Sequence, residues 1–228
     1  MDEKSKKLSS AEIYHDVKAK LTAGKFLQGG KLRAERIRHN YNCSASTVRE
    51  VFLKLSCEGH LEAIEQKGFR VPLGTAENRI DLIHMRLLLE KEGARLSLEK
   101  GGLDWEAELA ASYHKLAHVE NIIMDSGKIL PHVAFWNEAE YSFHKTLISA
   151  CGSKLLLEMH HNIYNRFRQQ LISDDTNFGF DVTNVKEHKL IFEAALRHEV
   201  STCVDLLQTH IDKDLRHRSK VQLVAARI

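Results

Sequence analysis

Apolar and polar positions follow a helical period along most of the chain. Val48, Val51, Phe52 and Leu55 fall at i, i+3, i+4 and i+7, so they line one buried face of a helix. Around that segment the pattern predicts a helix over about 11–23, a turn through "GKFLQGGKL", a short helix over about 34–41, and a third from near Ser46 to near Gly59. Two strand-like runs follow near 61–64 and 68–71, with Glu65, Gln66 and Lys67 at the tip between them. Three helices and a hairpin within about 70 residues is the plan of a winged helix-turn-helix.

Pro72, in "VPLGTAEN", closes this region and precedes a long helical pattern. The expected organisation is a winged helix-turn-helix over 1–72, a linker over 73–76 and a second domain over 77–228. In the second domain helices are read near 76–100, 104–124, 130–150, 153–173, 184–197 and 200–218. Pro131 falls early in the third of these, where proline is tolerated. Short connections between so many helices imply a bundle. The longest piece without helical pattern, 173–183, is read as a lid or loop over a site. The fold class is mostly α: an N-terminal winged helix-turn-helix followed by an all-helical bundle.

Composition narrows the class. Hydrophobic content of 43% and charged content of 28% belong to an ordinary soluble globular protein. No apolar run of 18 residues exists, and "MDEKSKKLSS" is not a secretory signal, so a cytoplasmic protein without membrane contact is expected. Cys43, Cys57, Cys151 and Cys203 are scattered and read as free thiols. The net charge of +2 conceals an asymmetry. Residues 1–72 carry 14 basic and 9 acidic side chains, a net +5, while 73–228 carry 19 and 22, a net −3. A basic N-terminal third points to a polyanionic partner, double-stranded DNA. Histidine is biased the other way, with 3 of 14 in residues 1–72 and 11 beyond.

The third helix carries the DNA chemistry. Ser44, Ser46, Thr47 and Arg49 lie at or near its N-terminal end, and Arg36 lies on the helix before it. Hydroxyls and helix N–H groups bind phosphate, and an arginine forks onto phosphate or a guanine edge. Lys67 and Gly68 at the wing tip suit a groove or phosphate contact. The bland alternative is that the serines merely cap the helix and Arg49 is a surface charge.

The stretch "GGKLRAERIRHNYNCSASTVREVFLKLSCEGHLEAIEQKGFRV" resembles the DNA-binding domain of the GntR family of bacterial transcription regulators. Gly29, Leu32, Ser44, Val48, Arg49, Glu50, Leu55, Glu58, Gly59, Gly68, Phe69 and Val71 match the family pattern. The match spans residues 11–72. Ala45 departs from the usual arginine and Thr47 from the usual proline, which puts the family's usual operator in doubt.

Glu140 and His144, in "EYSFH", are four apart and share a helix face. His188 and His210 each stand 11 residues from the turn expected near residue 199, so an antiparallel hairpin sets them side by side. Three imidazoles and a carboxylate can then converge on a divalent ion such as Zn²⁺ or Ni²⁺. Surface or core histidines by chance remain the competing reading.

Residues 76–218 resemble the helical FCD effector domain of the FadR subfamily. An acidic residue and three histidines at spacings of 4, 44 and 22 form that subfamily's metal site, and the same spacings occur here. Glu140 stands where aspartate is typical, one methylene longer. The resemblance also implies a small organic acid held beside the metal. Arg86 is the first arginine to consider for its carboxylate, with Arg166 and Arg168 next. Arg86 also stands four residues before Glu90, so an ion pair along the helix is an equal alternative. "GGLDWEAEL", "ACGSKLLLEM" and "QKGFRV" resemble segments of glutarate-responsive regulators of this kind, which implies glutarate or a related dicarboxylate. The reading is a homodimeric repressor released from its operator by that acid. A metal sensor, a structural metal site and a metal-dependent hydrolytic enzyme are the alternatives.

Overall fold

The computed structural model describes residues 8–172 and 180–225, with side chains described for all of these except residue 172 and those past 213. Contacts divide them into two compact units. One comprises residues 8–75 and the end of the seventh helix from Arg168; the other comprises Ala76–Phe167 and residues from 180 onward.

In the first unit, α1 (Ser10–Thr22) opens with a capping box. Ser9 Oγ accepts from the Glu12 N–H at 3.2 Å while the Glu12 carboxylate accepts from the Ser9 N–H at 2.8 Å. α2 (Ala34–Tyr41) ends at Asn42, whose φ of 49° supplies a left-handed stop. α3 (Ala45–Cys57) begins at the N-cap Ser44. β1 (Lys31–Leu32), β2 (Glu62–Ile64) and β3 (Gly68–Arg70) form an antiparallel sheet in the order β1-β3-β2. Leu32 and Ala63 both pair with Phe69. β1 corrects the reading of "GKFLQGGKL" as a turn alone. Two residues are too few to show a strand period, and only the pairing with β3 makes them a strand.

The core of this unit joins Ile13, Val17 and Leu21 of α1 to Val48, Val51, Phe52 and Leu55 of α3. Phe69 closes it from the sheet, its ring edge-on to Phe52 at 5.3 Å. Each such side chain contributes roughly 1.5–3 kcal/mol on burial. At the rim, the Glu58 carboxylate accepts from Tyr14 Oη and from Lys18 Nζ at 2.9 Å, tying the end of α3 to α1.

The second unit contains α4 (Ala76–Lys100), α5 (Leu103–Ser126), α6 (Val133–Leu147), a 3₁₀ turn (Ser149–Cys151), α7 (Lys154–Ile172), α8 (Val182–Leu196) and α9 (Val200–Ala225). α4 packs on α9, α5 on α6 and α8, and α8 on α9. Pro131 lies outside α6 rather than in its first turn. α5 stops at Gly127 with φ 63°, and the His132 N–H closes a separate turn on the Ile129 carbonyl at 2.8 Å. α9 runs past the expected 218. Residues 173–179 of the expected lid lie outside the described residues; its end is the α8 cap, where Asp181 accepts from the Thr183 N–H at 2.7 Å.

His198 fixes the turn between α8 and α9. Its Nδ1 lies 2.7 Å from the Leu98 carbonyl and its Nε2 lies 2.9 Å from Glu106. Both partners are acceptors, so the doubly protonated ring satisfies both. Among the described residues no helix is long and apolar enough to cross a membrane.

Candidate DNA-binding surface and candidate metal centre

The N-terminal end of α3 is a cluster of exposed polar groups. Ser44 Oγ accepts from the Thr47 N–H at 3.1 Å and lies 2.7 Å from Ser46 Oγ and 2.8 Å from Thr47 Oγ1. Ser44 is therefore both a helix cap and part of a hydroxyl cluster. Ser46, Arg36 and Arg49 are exposed, and Thr47 is half-buried. Lys67 and Gly68 are exposed at the wing tip. The tip turns through Gln66 at φ 56° and Gly68 at φ 90°, and the Lys67 N–H bonds the Ile64 carbonyl at 2.9 Å. A side chain at Gly68 would be strained by that φ.

In the second unit, His144 of α6, His188 of α8 and His210 of α9 come together in the interior. Each offers a ligand atom, and these atoms lie within 4.8 Å of one another. The ring centroids of His188 and His210 are 4.6 Å apart, and those of His144 lie 5.6 and 5.3 Å from them. Each imidazole is held from behind by a carboxylate. His144 Nδ1 meets Glu90 at 2.7 Å, His188 Nδ1 meets Glu120 at 2.8 Å, and His210 Nδ1 meets Glu187 at 3.0 Å. A neutral ring that donates from Nδ1 keeps the lone pair on Nε2. His144 Nε2 and His188 Nε2 are buried with no hydrogen-bond partner. Burial lowers the pKa of His144 and pushes that of His210 down to about 3. These two rings are thus kept in the neutral form that binds metals. Three clustered imidazoles, two of them with buried Nε2 atoms that lack a partner, suit a divalent ion.

Glu140 is buried on α6 one turn before His144; among the described residues the group whose ligand atoms lie within 4.8 Å of one another is His144, His188 and His210. The Glu140 charge helps to stabilise Arg86.

Arg86 is buried, 1% exposed. Its Nε donates to Glu90 at 2.6 Å, and its guanidinium lies 4.8 Å from the Tyr164 ring centroid and 5.2 Å from that of Phe167. The helical ion pair therefore exists, yet Arg86 Nη2 remains buried without a hydrogen-bond partner. Glu90 also accepts from His160 Nε2 at 3.0 Å. Burial works to raise the Glu90 carboxyl pKa, but Arg86 and the imidazoles hold it well below the usual range. Glu90 thus links Arg86 to the histidine cluster. Arg166 is half-buried, and Arg168 is buried in the part of α7 that belongs to the first unit.

Sequence reasoning missed the carboxylates behind the imidazoles. Glu187 stands beside His188 in the chain, a weak signal. Glu120 lies 68 residues from His188, and nothing local marks it. His160 was likewise not singled out.

A winged helix-turn-helix joined to a helical unit with a buried polar centre defines a DNA-binding regulator with a separate regulatory domain. Residues 9–71 match the gntR family of bacterial regulatory proteins, and residues 81–213 match the FCD domain. The chain belongs to this family: it is a GntR-type transcription regulator with an FCD domain. It is similar to the HTH-type transcriptional regulator BphR of Paraburkholderia xenovorans (strain LB400), 28% identical over 89% of this chain and 82% of the relative. It is also similar to the HTH-type transcriptional repressor GlaR of Escherichia coli (strain K12), 25% identical over 90% and 93%. In fold it resembles E. coli McbR/YncC, with a TM-score of 0.77, 17% identity, and coverage of 94% and 99%. A putative GntR regulator from Rhodococcus sp. RHA1 follows at 0.74, 21%, and coverage of 95% and 98%. The family and these curated relatives are transcription regulators, not enzymes.

Proposed function

We propose that the protein is a homodimeric repressor whose helical unit senses a small carboxylate beside a divalent metal. Two copies present two α3 helices to the half-sites of a near-palindromic operator. Arg49, Arg36 and the hydroxyls of Ser44, Ser46 and Thr47 meet the duplex, and Lys67 and Gly68 meet the flanking backbone or groove. His144, His188 and His210 hold the metal, Zn²⁺ or Ni²⁺, with Glu140, one helical turn before His144, the candidate fourth ligand. The bound metal supplies a positive centre for an anionic ligand. Arg86 offers the second positive contact through Nη2.

One observation carries this reading. Three buried imidazoles, each backed by a glutamate, bring ligand atoms within 4.8 Å of one another; His144 Nε2 and His188 Nε2 have no hydrogen-bond partner, and a buried arginine donor shares the Glu90 carboxylate with His144. Buried polar atoms without partners are costly, and a ligand that satisfies them offsets that cost. The segments shared with glutarate-responsive regulators favour glutarate or a related dicarboxylate. The ligand regulates only by binding the DNA-competent and DNA-incompetent arrangements with different affinity.

The test is thermal stabilisation by a panel of mono-, di- and hydroxycarboxylates, after chelation and again with Zn²⁺ or Ni²⁺ restored. Stabilisation by one acid only in the presence of metal, with loss of operator binding, supports the proposal. Stabilisation by metal alone, with operator release, would replace it with a metal sensor. Tighter operator binding with the acid would reverse the sign of regulation.

A further inference from the structure

Glu35 is an acidic side chain on the surface assigned to DNA. It lies in the first turn of α2, beside Arg36. Its Oε1 accepts from Arg49 Nη2 at 2.8 Å, across the two helices of the helix-turn-helix, and its Oε2 lies 3.4 Å from Arg38 Nε. The side chains of Arg49 and Glu35 are 57% and 60% exposed.

Stability does not account for this pair. An exposed ion pair contributes little to folding. A carboxylate facing phosphates also weakens DNA affinity, which rises with each phosphate neutralised. The pair does fix the plane of a guanidinium. Arg49 would otherwise swing on a flexible stem and settle on the nearest phosphate, a strong contact that carries no sequence information. Glu35 occupies part of its fork and offsets its charge. The remaining N–H groups are then presented in one orientation, as a planar two-point contact with a base edge requires.

We propose that Glu35 is a positioning residue that orients Arg49 toward a base edge, so that sequence discrimination is gained where non-specific affinity is lost. This rests on the reading of Arg49 as a DNA contact.

The test uses the full chain. A preferred duplex is first selected from a random pool with the unaltered protein. Affinities for it and for a scrambled duplex of equal length are then measured at one salt concentration. The proteins compared are the unaltered chain, E35A, E35Q, R49A and the E35A/R49A double variant, each checked for helicity. E35A should bind the scrambled duplex more tightly and lose about tenfold of the specificity ratio, within the range one two-point base contact supplies. Its affinity should also fall more steeply with salt, by about one further counterion. E35Q keeps an acceptor and should retain part of the ratio. R49A should lose the ratio too, and the double variant should match R49A alone. An E35A protein with an unchanged or improved ratio would overturn the proposal, as would a double variant in which the two losses add. R49A with unchanged affinity for both duplexes would overturn the assignment of Arg49 itself, and the proposal with it.

Discussion

Glu120 has one visible task, to receive the Nδ1 proton of His188 at 2.8 Å in a fully buried setting. Replacing it with glutamine keeps the volume and removes the charge that holds the ring in one tautomer. Metal affinity of E120Q should fall about 10–100-fold, the usual cost of losing such a partner. Competition with a chromophoric chelator measures it, and an unchanged affinity would remove the metal from this cluster. Arg86 is the other residue whose geometry matters more than its charge. Arg86→Lys keeps a cation but loses the planar fork that bonds Glu90 through Nε and leaves Nη2 free. R86K should still bind metal while losing stabilisation by the acid, and calorimetry with acid and metal added separately tells the two apart.

At the scale of elements, α3 depends on its cap. Ser44→Ala removes the acceptor for the Thr47 N–H and should cost about 1 kcal/mol, seen as a lower urea midpoint at unchanged slope. The turn between α8 and α9 depends on protonation. The pKa of His198 is raised above its ordinary value, first by the Glu106 carboxylate and then by the Leu98 carbonyl. The folded chain therefore holds this proton more tightly than the unfolded chain. Its contribution is full below the ordinary histidine pKa, about 6.5, and is lost as pH rises through the raised folded value. The side chain is about a third exposed, so the effect is modest. The melting temperature of His198→Asn should fall further below that of the unaltered protein at pH 5.5 than at pH 8.5. An equal difference at both would mean that the ring acts only by packing.

For the molecule as a whole, regulation requires that the two units be separable in mutants. His188→Ala should leave operator affinity unchanged while blunting the response to acid and metal, and sedimentation of the unaltered chain should give twice 26.1 kDa. Much of the fold was legible in the chain because helices that bury one face must repeat apolar residues with the period of 3.6. The stripe of Val48, Val51, Phe52 and Leu55 shows this, as do the helix breaks at Gly59 and Gly127. β1 was not legible, since Lys31 and Leu32 become a strand only by pairing with Arg70 and Phe69. Pro131 was placed one turn too deep, because a proline tolerated in a first turn is equally tolerated in the turn before it. The spacing of His144, His188 and His210 allowed the prediction of their convergence, since a helical hairpin aligns residues equidistant from its turn. Local periodicity and motif order thus determined the helices, the winged helix-turn-helix and the histidine spacing. Tertiary packing alone decided which carboxylates stand behind the imidazoles and that Glu35 bonds Arg49. Those contacts join residues on different helices, from 14 to 68 positions apart, and no local pattern along a chain encodes a partner at that distance.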